Sequence, residues 1–195
     1  MTISTIDGKK AMTQSTSSPF VLTILTTPGS AALRIENSEL PAAIQVDETT
    51  NQEVARRFSA GVQVYDCDPA SGTFSFREPH SDLYDLDTVA QRGIHFATEA
   101  GPNWADADGS RTSCLWPGGN RLIVAVDAPA PADPARDVRW LKAEAAQNFG
   151  SNGVFSGVTF IQRVLTFGGQ APPSCTAGTT VSVPYTALYI FWAPR

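Results

Sequence analysis

The stretch Val158 to Phe167 constrains the fold of this chain more than any other. With the two-residue period of a strand, Val158, Phe160, Gln162, Val164 and Thr166 fall on one side and Thr159, Ile161, Arg163, Leu165 and Phe167 on the other. Both sides are mostly apolar, the signature of a strand covered on both faces. Gln162 and Arg163 lie at its middle, so at least one of them is expected inside the protein, where a polar group needs a partner.

Val181 to Trp192 reads the same way. Val183, Tyr185, Ala187, Tyr189 and Phe191 oppose Thr186, Leu188, Ile190 and Trp192, while Pro184 confines the start of that strand to an edge or a bulge. Further candidate strands are Phe20 to Thr26, Ala31 to Ile35, Gly61 to Tyr65, Thr73 to Arg77, Ile94 to Ala97 and Arg121 to Asp127, separated by recurring turn residues. A chain of 195 residues with 15 Gly and 14 Pro suits one core punctuated by many short elements. The expected fold is mainly β, a single-domain antiparallel β-barrel or β-sandwich with few short helices. Residues 1–19, rich in Thr and Ser, read as a mobile leader, and 20–195 as one β domain.

One segment supports two readings. Asp133-Pro134, then Val138, Leu141 and Ala145, with Asn148 and Gly150 behind, carries the N-cap, first-turn proline and terminal glycine of a helix.

Composition removes several function classes. A net charge of -5 and 14 scattered basic residues do not form a nucleic-acid surface. No apolar run approaches the ~20 residues needed to span a bilayer. Lys9-Lys10 is followed by the polar stretch Thr13 to Ser18 where a signal peptide would be apolar, so a cytoplasmic location is expected. Only His80 and His95 are available as imidazole ligands, and no metal site is expected. Asp106-Ala107-Asp108-Gly109 opens like a calcium loop, but its twelfth position is Pro117, not Glu. Neither G-x-x-x-x-G-K-[ST] nor G-x-S-x-G occurs. Cys67, Cys114 and Cys175 show no C-x-x-C spacing; Cys114 reads as a structural thiol, and Cys67 and Cys175 either pair or pack as small apolar groups.

From Leu40-Pro41 onward the chain carries Gly61-Val62-Gln63-Val64-Tyr65 with Cys67, His95 ahead of Gly101-Pro102-x-Trp104, Asp108-Gly109-Ser110, Trp140-Leu141, Gln162-Arg163-Val164-x-Thr166-x-Gly168-Gly169, Cys175 and Tyr185-Thr186-Ala187-x-Tyr189. In this order these residues resemble the bacterial and fungal family DUF3455. The resemblance implies a strand near Trp140 to Ala143, against the local helix signals. It carries no reaction. Some fungal members bear a malate dehydrogenase label, but no G-x-G-x-x-G opens a helix here. Relatives commonly look exported, which departs from the location read from the N-terminus.

The chemistry that remains is cofactor-free. The expected function is binding of an apolar small molecule in an interior cavity, as a cyclase, isomerase or pericyclic catalyst working by positioning and acid-base or hydrogen-bond assistance. The alternative is a non-catalytic ligand-binding, interaction or stress-related protein with a fully packed core. Candidate catalytic residues are His95 as a proton exchanger, Asp108 as an orienting carboxylate, Arg163 as an interior cation and Tyr185 as a donor. Trp104, Trp140, Gln162 and Tyr189 are candidate ligand contacts. The expected partner is a small molecule, with no nucleic acid and no membrane, and the chain specifies no oligomeric state.

Overall fold

The structure is a computed structural model. It describes residues 35–116 and 133–195 in full, and the backbone of short strands at 2–6, 9–13 and 123–126. The chain divides into two units, Met1–Glu36 and Asn37–Arg195. In the first, β1 (Thr2–Ile6) and β2 (Lys9–Thr13) pair antiparallel, so the expected leader contains a two-strand ribbon. The candidate strand Phe20 to Thr26, and 31–34 of the next, lie outside the described residues.

The second unit is mainly β, as expected. Its strands are β3 (Asn51–Asp68), β4 (Thr73–Tyr84), β5 (Gln91–Thr98), β6 (Gly101–Asp106), β7 (Arg111–Ser113), β8 (Ile123–Val126), β9 (Trp140–Glu144), β10 (Gln147–Phe149), β11 (Phe160–Gly168) and β12 (Thr180–Pro194). They form one antiparallel sheet in the order β10-β7-β6-β5-β4-β3-β12-β11-β9-β8. The run from β3 to β7 is a meander, and three of its four turns are opened by aspartates that bond their own backbone. Asp68 accepts from the Ala70 N–H at 2.9 Å, Asp85 from the Thr88 N–H at 2.8 Å, and Asp106 from the Asp108 N–H at 3.2 Å.

The sheet curls until its flanks meet. β9 lies beside β11 and β10 beside β7, yet only Ala145 and Ala146 separate them. Those two residues can span no more than roughly 10 Å, and each bonds a different flank: Ala145 N–H to Thr159 O at 2.8 Å, Ala146 N–H to Ser113 O at 2.7 Å. The continuous segment Trp140–Phe149 thus links the two flanks of a curled, half-barrel sheet. Where β3 meets β4, a side chain at Gly61 would place its Cβ 2.1 Å from the His80 carbonyl, so only glycine allows that approach.

β12 is buried on both faces over Tyr185 to Trp192. Inside, Tyr185, Ala187, Tyr189 and Phe191 join Leu83, Trp104, Phe155 and Ile161 in the main core. Outside, Leu188, Ile190 and Trp192 are covered by the segment 37–46, which brings Leu40, Ile44 and Val46 into burial. Pro184 falls where β12 has β3 as neighbour but β11 has ended at Gly168, which is the local edge its sequence predicted.

Asp133 to Phe149 follows the strand reading. The Asp133 carbonyl closes one turn, accepting from the backbone N–H groups of Arg136 (3.1 Å) and Asp137 (2.7 Å). The chain is then captured by β11: the buried Asp137 carboxylate accepts the Gly168 N–H at 2.7 Å, and Val138 N–H donates to Gly168 O at 2.9 Å. Burial raises the Asp137 carboxyl, but hydrogen bonds from Arg136 and Gly168 outweigh it and hold the group below the usual carboxylate range. Tertiary pairing therefore overrides the local helix signals.

Candidate functional site

The interior face of β12 assembles most of the residues expected to act. His95 on β5 stands opposite Trp104 on β6, and their rings stack with centroids 4.4 Å apart at 7°. Tyr189 meets both edge-on, at 5.1 and 5.5 Å. Phe191 continues the cluster to Phe155 at 4.3 Å. These are contact distances for aromatic rings, so this part of the interior is filled by side chains.

His95 Nδ1 lies 2.8 Å from the Asn103 carbonyl. A carbonyl only accepts, so Nδ1 carries the hydrogen and Nε2 keeps its lone pair. Burial lowers the His95 pKa to about 3, opposed by the Asn103 hydrogen bond and deepened by the nearby Arg163 charge. The ring is neutral at physiological pH. Below it runs a chain of buried hydroxyls: Ser59 Oγ donates to Ser81 Oγ at 2.7 Å, Ser81 Oγ lies 3.1 Å from Tyr185 Oη, and Tyr185 Oη lies 3.5 Å from Tyr189 Oη. Burial raises the Tyr189 pKa well above that of a free phenol, and the adjoining Tyr185 adds to the rise.

Arg163 enters this cluster from β11. It shares one cross-strand row with Tyr189 and Arg57. Arg57 has a carboxylate, Asp106 at 2.9 Å. Arg163 has none among the described residues; its Nε and Nη2 donate to the Arg139 carbonyl at 3.1 and 2.9 Å. Burial raises the Tyr65 pKa, and the Arg163 charge opposes that rise, as it does at Tyr189. Arg163 is half-buried, so this end of the cluster reaches solvent.

Farther along β3, beside Gly169 and Tyr185, sits Gln63, 2% exposed, whose Nε2 has no hydrogen-bond partner among the described residues. The same holds for Trp104 Nε1 and for Thr112 Oγ1 opposite it. A Cβ on Gly169 would crowd Tyr185 at 2.9 Å and Gln63 at 3.2 Å, so this glycine lets the chain close over the amide. Tyr65 donates to Gly169 O at 2.6 Å.

Three expected residues stand apart from this group. Gln162 is fully buried, but on the opposite face of β11, where companions satisfy it: its Nε2 donates to Asn37 Oδ1 (3.0 Å) and Ile44 O (2.6 Å), and Trp192 Nε1 donates to its Oε1 (2.7 Å). This cluster fastens 37–46 to the sheet. Gln162→Leu is expected to lower stability by about 2–3 kcal/mol, because Trp192 and Asn37 lose their partner in a dry site, a loss readable by chemical denaturation.

Asp108 lies in the β6–β7 turn. Its Oδ1 accepts from the Ser110 hydroxyl at 2.6 Å and its Oδ2 from the Val154 N–H at 2.7 Å, anchoring the loop that places Phe155 in the core. Burial raises its carboxyl, but the Ser110 and Val154 bonds outweigh it and hold the pKa below the usual value. Trp140 is half-buried on β9 with an unpartnered Nε1 among the described residues. Cys114 is a buried thiol pushed up to about 12 by burial and by Glu144, which removes it as a nucleophile at neutral pH.

Ser59, Ser81 and Gln63 were not among the expected site residues. Serine and glutamine in a strand have no spacing signal of their own, although Ser59, Gly61, Gln63 and Tyr65 alternate along β3 and so share a face.

The fold and this cluster define a single antiparallel β domain with a polar, cation-bearing interior. The DUF3455 profile, a protein family of unknown function, matches residues 48–193, and the chain belongs to that family. No curated protein and no solved structure matches it.

Proposed function

We propose that the protein is a cofactor-free binder of a small apolar molecule carrying an anionic or strongly accepting head, held where Arg163 enters the interior. The observation that carries this reading is Arg163, a cation with no carboxylate among the described residues, set against the Tyr189 phenol, with the orphaned Gln63 amide farther along the same interior face. Both Arg163 and Gln63 are donors, and the Tyr185 and Tyr189 hydroxyls lie on the same interior face, so the set complements an acceptor.

Hydrogen-bond donation fits these groups better than proton transfer. A general base works best with a pKa near the operating pH, and His95 titrates at about 3. Cyclisation or isomerisation at this site would rest on positioning and hydrogen bonds to a developing charge. The close packing of His95, Trp104, Tyr189 and Phe191 favours binding near Arg163 over burial of a large ligand among the rings.

The Cys67–Cys175 bond supports an oxidising compartment rather than the cytoplasmic location read from the N-terminus.

The test compares decanoate with its neutral methyl ester. Decanoate is expected to raise the melting temperature of the native protein and the ester is not; Arg163→Met is expected to fold with the same circular dichroism and lose the decanoate effect. Stabilisation by decanoate that survives Arg163→Met, or an absence of stabilisation by apolar carboxylates, overturns the reading and leaves the packed, non-catalytic scaffold.

A further inference from the structure

A second site lies away from Arg163. An open groove of about 750 Å³ runs along β4, the end of β5 and the residues after β7, with Phe76, Ala97, Thr98 and Trp116 on its walls. Phe76 is 43% exposed in spite of its size. A bulge in β4 sets it there: Val64 pairs with Glu78 and Tyr65 with Phe76, so Arg77 is the extra residue. The ring is held from two sides, edge-on to Tyr65 at 5.4 Å and to Trp116 at 6.0 Å. Trp116 is fixed by its own indole N–H, which donates to Thr98 O at 3.2 Å. The bracing keeps an aromatic corner open to solvent on the groove wall.

The charge around the corner selects the occupant. Arg77 is matched by two carboxylates, Asp66 at 2.9 Å and Glu78 at 3.1 Å, and His80 stands 3.3 Å from the same Glu78. Glu99 adds a further carboxylate on the wall and has no ion-pair partner among the described residues. Acids outnumber the one guanidinium, and the whole chain carries -5. Aromatic faces backed by acidic side chains favour an organic ammonium group, which gains from the ring quadrupole and from the carboxylates together.

We infer that this groove binds an organic cation, an ammonium group on an aromatic or apolar body, between Phe76, Trp116 and Glu99. The site is independent of Arg163 and selects the opposite charge.

Phenyltrimethylammonium is the probe, followed by tryptophan fluorescence and by the shift of the Trp116 indole N–H resonance, with benzoate as the anionic control. Saturable binding is expected for the cation and not for benzoate. Phe76→Ser, at a half-exposed position, is expected to weaken it roughly tenfold, and Glu99→Gln about threefold with a smaller salt dependence. Arg163→Met is expected to leave it unchanged, which separates this site from the interior one. Equal binding of benzoate, an affinity unaffected by both groove variants, or no saturable binding overturns the inference.

Discussion

Replacing Cys67 and Cys175 together by alanine, or reducing the bond between them, is expected to lower the melting temperature by about 10 °C. The two cysteines are 108 residues apart, and the bond joins the end of β3 to the loop ahead of β12. Cross-linking a loop of that length removes on the order of 4–5 kcal/mol of conformational entropy from the unfolded chain. For a domain of this size each kcal/mol moves the midpoint by roughly 2–4 °C. Native backbone bonds already hold the place, with Cys67 N–H on Thr179 O at 2.8 Å and Cys175 N–H on Gly72 O at 3.0 Å. The reduced protein is therefore expected to keep its sheet and lose stability only. A melt that does not respond to reductant refutes the assignment of the bond as a stabilising element.

The second large effect is sensitivity to acid. His95 is fully enclosed by Trp104, Tyr189 and the Asn103 carbonyl, and accepts a proton in the folded state only near pH 3, whereas in the unfolded chain it does so near 6.5. Between those values the unfolded state binds more protons, so stability falls as the pH drops through that window and is level above it. The slope is at most about 1.4 kcal/mol per pH unit, or roughly 2 kcal/mol from pH 6.5 to 5. His95→Gln removes the titration and keeps an N–H for Asn103 O, so its denaturation free energy is expected to stay flat over that range. An equally steep decline in the variant would assign the acid response to other groups. Asp137, whose pKa is depressed, contributes its own loss only at lower pH, as the carboxylate protonates.

These two expectations rest on different kinds of information. The alternation of Val158 to Phe167 and Val181 to Trp192 predicted two strands covered on both faces, and β11 and β12 are those strands. The polar residue trapped at the centre of the first was also legible, because any group between two apolar surfaces needs a partner. Its role was not. Alternation places Gln162 and Arg163 on opposite faces but does not say which face is the barrel interior. Gln162 met Asn37, 125 positions away in sequence, and became a structural clamp. Arg163 met the phenols of β12.

A bulge also changed the phase beyond Arg163. Leu165 adopts φ of 48° and the register shifts between Val164 and Phe167, so Phe167 turns outward to 40% exposure while Thr166 is buried on the Val138 carbonyl. A strict two-residue period cannot anticipate such a slip, because the backbone pays for it through long-range pairing with β12 and the Asp137 turn.

The local code by itself determined the β class, the two central strands and the presence of an enclosed polar group, since these follow from the period of apolar residues and the cost of burying polarity. Tertiary structure alone decided that the helix-like segment at 133–149 forms two strands, one on each flank of the curled sheet, which histidine nitrogen is free, and that His95, Tyr185, Tyr189 and Arg163 converge while Asp108 and Gln162 do not. The reason is that a residue's neighbours inside a sheet are chosen by strand order and register, and those are settled by contacts between segments far apart in the chain.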